Sequence, residues 1–213
     1  MSALELWNEI HLELLAAALA SIKLALGALT IGLVLGLFLA LARLSGKGWL
    51  WRATGIYIEI FRGTPALMQL FIIYFGLAAI GITFSSLQAA IIGLGLNASA
   101  SLSEVFRAGI QAVPKGQTEA ALAIGMTRTQ VMVWIVLPQA VRVMLAPAGN
   151  IAISLLKDTS VASLIAAPDL MLRAQDLSSQ YFQPLEIYLI VGAMYFVLCF
   201  PLSLLVRAVE PDR

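Results

Sequence analysis

Five stretches of this chain are apolar for longer than the core of a water-soluble protein uses. The first runs from about Leu14 to Leu44, with Lys23 as its one charge before Arg43 near the end. The others lie within 49–84 and at about 85–107, 138–156 and 185–206. A bilayer core takes ~20 predominantly apolar residues per helix. In hydrocarbon a chain must satisfy its own backbone polar groups, which leaves the helix as the element for such segments. The expected fold class is therefore all-α and integral to a membrane: five transmembrane helices in a single domain, 1–213. Composition agrees. Hydrophobic residues make up 61% and charged residues 12%, against roughly 45–50% and about 25% in soluble domains.

Several function classes fall away at once. No G-x-x-x-x-G-K-[ST] run occurs, so a P-loop that would cradle ATP phosphates is missing. The net charge is +1 and no basic tract is present, which gives nucleic acid nothing to hold. A single Cys199 supports neither a disulfide framework nor a metal cluster. The first apolar run is too long for a signal-peptide core, and Glu5, Glu9 and Glu13 before it are acidic where a signal would be basic. No cleavage is expected.

Lysine and arginine near span ends set the orientation. With the N-terminus outside, the inner connections carry Arg43, Lys47, Arg52, Arg62, Arg107, Lys115, Arg128, Arg142, Arg207 and Arg213, and the outer ones only Lys157 and Arg173. That asymmetry predicts N-terminus outside and C-terminus in the cytoplasm. Lys23, in the outer third of the first span, is expected to snorkel to the interface. The outer side is acidic, with Glu5, Glu9, Glu13, Asp158, Asp169, Asp176 and Glu186. This rim would suit a soluble partner of opposite charge and equally fits a solvated surface.

Ser45-Gly46-Lys47-Gly48 reads as a turn, and Trp49 and Trp51 suit the headgroup belt. Glu59 and Arg62 have i,i+3 spacing. Thr64 is the expected N-cap, and Pro65 the first residue, of a helix that follows Gly63. Residues 49–62 are then expected along or just inside the inner surface.

Residues 114–137 form the most distinctive polar interruption. Pro114-Lys115-Gly116 ends the third span. Gln117 to Ile124 favours helix, Gly125 suits the left-handed residue that closes it, and Thr127 with Gln130 is a capping-box pattern. The reading is helix, glycine turn, helix: a compact knob at which Ala120 and Ala121 admit close approach and Glu119 offers a carboxylate. An ordinary hairpin of Ala-rich helices meets the same spacing.

Glu119-Ala120-Ala121, three residues, Gly125, then Ile135-Val136-Leu137-Pro138 resembles the cytoplasmic EAA coupling loop of ABC importer permeases. Phe61-Arg62-Gly63-Thr64-Pro65, Ser103-Glu104-Val105-Phe106-Arg107-Ala108-Gly109-Ile110, Leu137-Pro138-Gln139-Ala140 and Lys157-Asp158-Thr159-Ser160 are similar to the polar amino acid uptake branch of that family. The chain departs at Ser101, where that branch often has an aromatic residue. The resemblance implies a permease subunit that is not itself an enzyme and holds no cofactor, ATP being bound by a partner. It implies an ATP-binding subunit dimer gripping Glu119, Ala120, Ala121 and Gly125, and a second permease, identical or homologous. It also implies an extracytoplasmic substrate-binding protein, a polar or charged amino acid as cargo, and residence in a bacterial-type inner membrane.

Polar residues inside spans mark pathways or helix contacts. Asn97, near the middle of the third span, is a candidate substrate contact or an interhelical hydrogen bond. Glu104 and Arg107 are spaced for an ion pair at the inner mouth, and Glu104 facing a cavity would suit a cationic cargo. Lys157, Asp158 and Thr159 interrupt the apolar run after Pro147 and Gly149, where they either shape the outer end of a pathway or form a solvated loop. A proton-coupled secondary transporter with Glu104 as proton carrier is the alternative, and it gives no role to the glycine-hinged knob.

Overall fold

A computed structural model describes residues 3–209, with side-chain surroundings from Leu6 onward; Glu5 and Arg213 of the charge pattern lie outside that description. Every regular element among the described residues is helical. The elements are α1 (Ala3–Leu44), α2 (Gly48–Gly63), α3 (Ala66–Ala79), α4 (Ser86–Ala112), α5 (Lys115–Ala123), α6 (Arg128–Ile165), α7 (Leu170–Tyr181) and α8 (Pro184–Val209). Four of them, α1, α4, α6 and α8, are long and apolar enough to cross a membrane. The pair α2 and α3 meets the same test jointly but is bent by 107° at its break.

In hydrocarbon, burying leucine against leucine transfers nothing out of water, so close backbone approach and hydrogen bonds carry helix association. The α1–α4 contact, the most extensive in the bundle, is built that way. A Cβ on Gly95 of α4 would lie 2.7 Å from Ile31 Cβ, and one on Gly36 of α1 would lie 3.0 Å from Ser99 O. No larger residue fits without separating the two helices. Around this pair, Leu24, Leu70, Ile73, Leu94, Leu102, Leu155 and Ile165 form one buried cluster that joins α1, α3, α4 and α6. A second cluster joins Leu6, Ile10 and Leu14 of α1 to Leu170 and Leu177 of α7 and Ile187 of α8.

The break between α2 and α3 follows Gly63, but not as the sequence predicts. Pro65 is itself the N-cap of α3, and no side chain caps that helix. The Thr64 hydroxyl donates instead to Ile60 O at 2.8 Å, which satisfies a carbonyl at the end of α2. Nor is α2 confined to one end of the bundle. Tyr57 Oη reaches Leu96 O at 3.1 Å and Ser99 Oγ at 2.8 Å, halfway along α4. Glu59 and Arg62 are both exposed and form no ion pair with each other.

The helix carrying the fourth apolar run begins at Arg128, well before Pro138. Val131–Val136 adopts the wider π form. Proline has no N–H to return to the preceding turn, and a local π adjustment is one way a membrane helix re-satisfies the backbone groups so freed. The Gln139 amide then donates to Ile135 O at 2.8 Å. Pro147 passes inside the helix without ending it. At Thr159 the helix tightens to 3-10 and runs to Ile165, and Ala166 closes it at φ 54°.

The acidic rim is thinner than the sequence suggests. Glu13 pairs with Arg173, which also reaches Asp176 at 3.6 Å. Asp169 is not on a solvated surface: only 2% exposed, it caps α7 by accepting from Leu172 N at 2.8 Å and Met171 N at 3.1 Å. Burial pushes its carboxyl up to about 6 against the pull of those N–H groups and the Tyr195 hydroxyl. A carboxyl raised above its unfolded value stabilises the fold fully below that value, and the contribution fades as pH rises through about 6. Asn caps a helix about as well as Asp, so Asp169→Asn should remove this slope. Its advantage over wild type should grow between pH 4 and 7, by at most about 3 kcal/mol for a shift of roughly two pKa units. Thermal melts of both proteins across that range check this; a pH-independent difference would refute it.

Candidate transport pathway and coupling site

Asn97 sits where α2 breaks. Its Nδ2 donates to Phe61 O at 3.0 Å and to Gln69 Oε1 at 3.1 Å. The buried Gln69 amide donates in turn to Phe61 O at 2.9 Å, Thr64 O at 3.1 Å and Thr64 Oγ1 at 2.9 Å. A helix end leaves carbonyls without partners, and here two side-chain amides, one from α3 and one from α4, supply them. Sequence reasoning found Asn97 but not Gln69, whose value appears only once the chain folds back at Pro65. Asn97 Oδ1 makes no hydrogen bond among the described residues.

Glu104 lies two turns further along α4. It accepts from Arg107 Nη2 at 2.6 Å, the pair expected from i,i+3 spacing, and also from Arg43 at the end of α1. The Arg43 guanidinium stands over the Trp51 ring, 5.4 Å from its centroid. Arg62 adds its charge to the surroundings of Glu104 without touching it. One carboxylate is thus held by two cations in contact and a third at longer range. Such a group is a structural anchor between α1 and α4.

Lys157 is exposed, Asp158 half-buried and Thr159 buried. The Thr159 hydroxyl donates to Leu156 O at 2.9 Å, which closes the last α turn before the 3-10 segment. That segment packs against α3 and α4, and Ser86 Oγ at the start of α4 donates to Ala166 O at 2.9 Å. No hydrogen bond joins Asn97, Glu104 and the Lys157–Thr159 group to one another among the described residues. They occupy three levels of one bundle.

The knob folds as its sequence predicts. Gly125 stands at φ 88°, its N–H donates to Leu122 O at 3.0 Å, and Met126 N donates to Ala121 O at 3.2 Å. This pair of bonds is the Schellman closure of a helix. Thr127 and Gln130 form the capping box at the start of α6. Ala121 is buried against Val131, Val136 and Met144, while Glu119 and Ala120 are exposed beside Ile124, which is 80% exposed. The turn is thereby welded to α6 on one side, and its other side is an open face of small and apolar residues.

The spans, the broken helix pair and the capped knob are those of a membrane transport subunit. It belongs to the family described as binding-protein-dependent transport system inner membrane component, whose model matches residues 32–213. It is 40% identical over 191 residues to the L-cystine transport system permease protein TcyB of Bacillus subtilis, across 89% of this chain and 82% of that one. The arginine transport system permease protein ArtQ of the same organism is 37% identical across 89% and 87%. The octopine transport system permease protein OccM of Rhizobium meliloti is 38% identical across 98% and 90%. A crystal structure of an amino acid ABC transporter with histidines superposes with a TM-score of 0.91 at 36% identity, covering 99% of this chain and 98% of that one. The MetNI methionine ABC transporter shares the fold, at 22% identity and a TM-score of 0.75.

Proposed function

We propose that the chain is the transmembrane permease subunit of an ATP-driven importer for polar or charged amino acids. The observation that carries this reading is the rigid knob at 115–130, whose open face is built from the residues of the EAA pattern. The cargo class is supported by the cystine, arginine and octopine systems of its relatives and by the amino acid ABC transporter it superposes on. Its partners are a dimer of ATP-binding subunits seated on Glu119, Ala120 and Gly125, a second permease, and an extracytoplasmic binding protein; Ala121, expected on the same contact face, instead packs beneath it against α6. The N-terminus lies outside and the C-terminus in the cytoplasm, in keeping with the distribution of Lys and Arg.

Closure of the ATP-binding dimer draws two knobs together. The motion enters α4 and α6, and the spans open outward to receive the amino acid; hydrolysis reverses it. The pathway runs past Lys157, Asp158 and Thr159, then Asn97, then the level of Glu104. Reconstitution with the ATP-binding subunit and binding protein should give ATP-dependent uptake. Uptake driven by a proton gradient through this chain alone would overturn the proposal.

Asn97→Ala separates positioning from contact. Gln69 still donates to Phe61 O in the variant, so the loss of stability should be about 1 kcal/mol. A lost hydrogen bond to a charged ligand, about 1.5–3 kcal/mol, should raise the half-saturating cargo concentration on the order of ten-fold. Unchanged transport kinetics beside a lower melting temperature would remove Asn97 from the pathway.

A further inference from the structure

One face of α6 stays polar and without partners through the depth of the bundle. Asn150, Ser154 and Lys157 follow one another at spacings of four and three, which puts them on a single helical face. All three are exposed, and none forms a side-chain hydrogen bond or an ion pair among the described residues. Arg142, about two turns further in, is likewise exposed and unpaired among them. Elsewhere in the spans Thr30, Ser99, Ser103 and Ser203 turn their hydroxyls back onto carbonyls of their own helices, a bond within reach of any such residue. Ser154 leaves that bond unmade.

The packing of α6 on α4 fixes the height of this face. Met144 of α6 fills the space beside Gly109 of α4, and Ala166, just past the end of α6, accepts from the Ser86 hydroxyl at the start of α4. The two helices therefore run antiparallel. Counted from the Met144 contact toward Ser86 at 1.5 Å per residue, Asn150 and Ser154 lie about 9 and 15 Å along. On α4, Glu104 and Asn97 lie about 8 and 18 Å along. The unpartnered face thus stands level with the polar groups of α4. Polar side chains at that depth turn to the bundle interior or to a water-filled cavity. A protein cover has to match an amide, a hydroxyl and an ammonium in a row, whereas water serves all three.

We infer that this face of α6 walls the water-filled path through the bundle, with Asn150 and Ser154 as pathway residues alongside Asn97. The inference rests on the transport proposal for what uses the path. Its readout is water at α6, which needs neither ATP nor cargo, so the two fail separately: lost uptake with the water contact intact rejects the transport proposal alone.

The test places single cysteines in the full-length chain, with its one native thiol removed by Cys199→Ala. Asn150→Cys and Ser154→Cys report on α6. Leu202→Cys and Leu205→Cys report on an apolar face at the same height, because α8 packs Val206 against Gly149 and leaves Leu202 and Leu205 39% and 63% exposed. Membranes opened to both sides are treated with a charged methanethiosulfonate, which reacts with thiolate, a species formed in water and suppressed in hydrocarbon. Asn150→Cys and Ser154→Cys should label at least ten-fold faster than the two leucine positions. Ser154→Cys is nearly isosteric with the native residue and decides the matter should Asn150→Cys fail to reach the membrane. Labelling at Ser154→Cys less than ten-fold above the leucine positions means that lipid or protein covers the face, and overturns the inference.

Discussion

Gly125→Val should reach the membrane at the wild-type level and lose ATP-driven uptake by at least ten-fold. The apolar spans are untouched, so insertion is unaffected. An added Cβ at Gly125 meets nothing within 4 Å, so the harm is conformational and not steric. A left-handed residue costs an L side chain roughly 1–2 kcal/mol, and a β-branched one stands at the unfavourable end. The chain escapes the cost by leaving φ 88°, which forfeits the bonds from Gly125 N to Leu122 O and from Met126 N to Ala121 O. The knob then hangs loosely on α6 and passes no motion on. Asn, which tolerates the left-handed region, should retain most uptake. Full transport by Gly125→Val, with the ATP-binding subunit bound as in wild type, would reject the rigid knob.

Glu104→Gln should destabilise the subunit by about 2–3 kcal/mol. Removing one partner of a buried ion pair costs about 3–5 kcal/mol because the other charge is stranded. Here the side chains of Arg43 and Glu104 are 18% and 23% exposed, so solvent relieves part of that. The variant leaves Arg43, Arg107 and Arg62 with no carboxylate among them. Replacing Arg43 by Gln as well should recover part of the loss, because the stranded cation goes with it. Transport per folded complex should stay near wild type in both. A proton carrier behaves in the opposite way, with normal melting and abolished uptake, and that result for Glu104→Gln would revive the secondary-transport alternative.

What the sequence discloses is what neighbouring residues decide among themselves. The long apolar runs follow from composition over ~20 positions. The left-handed Gly125, the Thr127–Gln130 capping box and the Glu104–Arg107 pair each lie within four residues of their partners, and each appears in the structure. The failures are contacts between distant residues. Arg43 and Glu104 lie 61 positions apart, and nothing local predicts that the cation ending α1 meets α4. Gln69 and Asn97 converge only because the chain folds back at Pro65. Asp169 reads as one more outer acid until the Tyr195 side chain of α8 and the first turn of α7 enclose it. Glu59 and Arg62 have the right spacing and still do not pair, since spacing permits an ion pair without compelling one. The substrate-pathway residues stand in three separate groups, at the heights their places along the spans predict, and no hydrogen bond joins one group to another among the described residues.

The glycine contacts between α1 and α4 determine which parts of the subunit travel. With Gly36 and Gly95 pressed to near-contact distance against the opposing helix, neither helix can slide by a fraction of a turn without collision. The two behave as one plate. Any thrust delivered through the knob to α4 therefore carries α1 with it. The pair α2 and α3 is fastened to that plate along each arm, by Tyr57 on one and by Leu70 and Ile73 on the other, and its 107° break is left as the compliant point. The stroke of this machine is the tilt of a plate against an elbow.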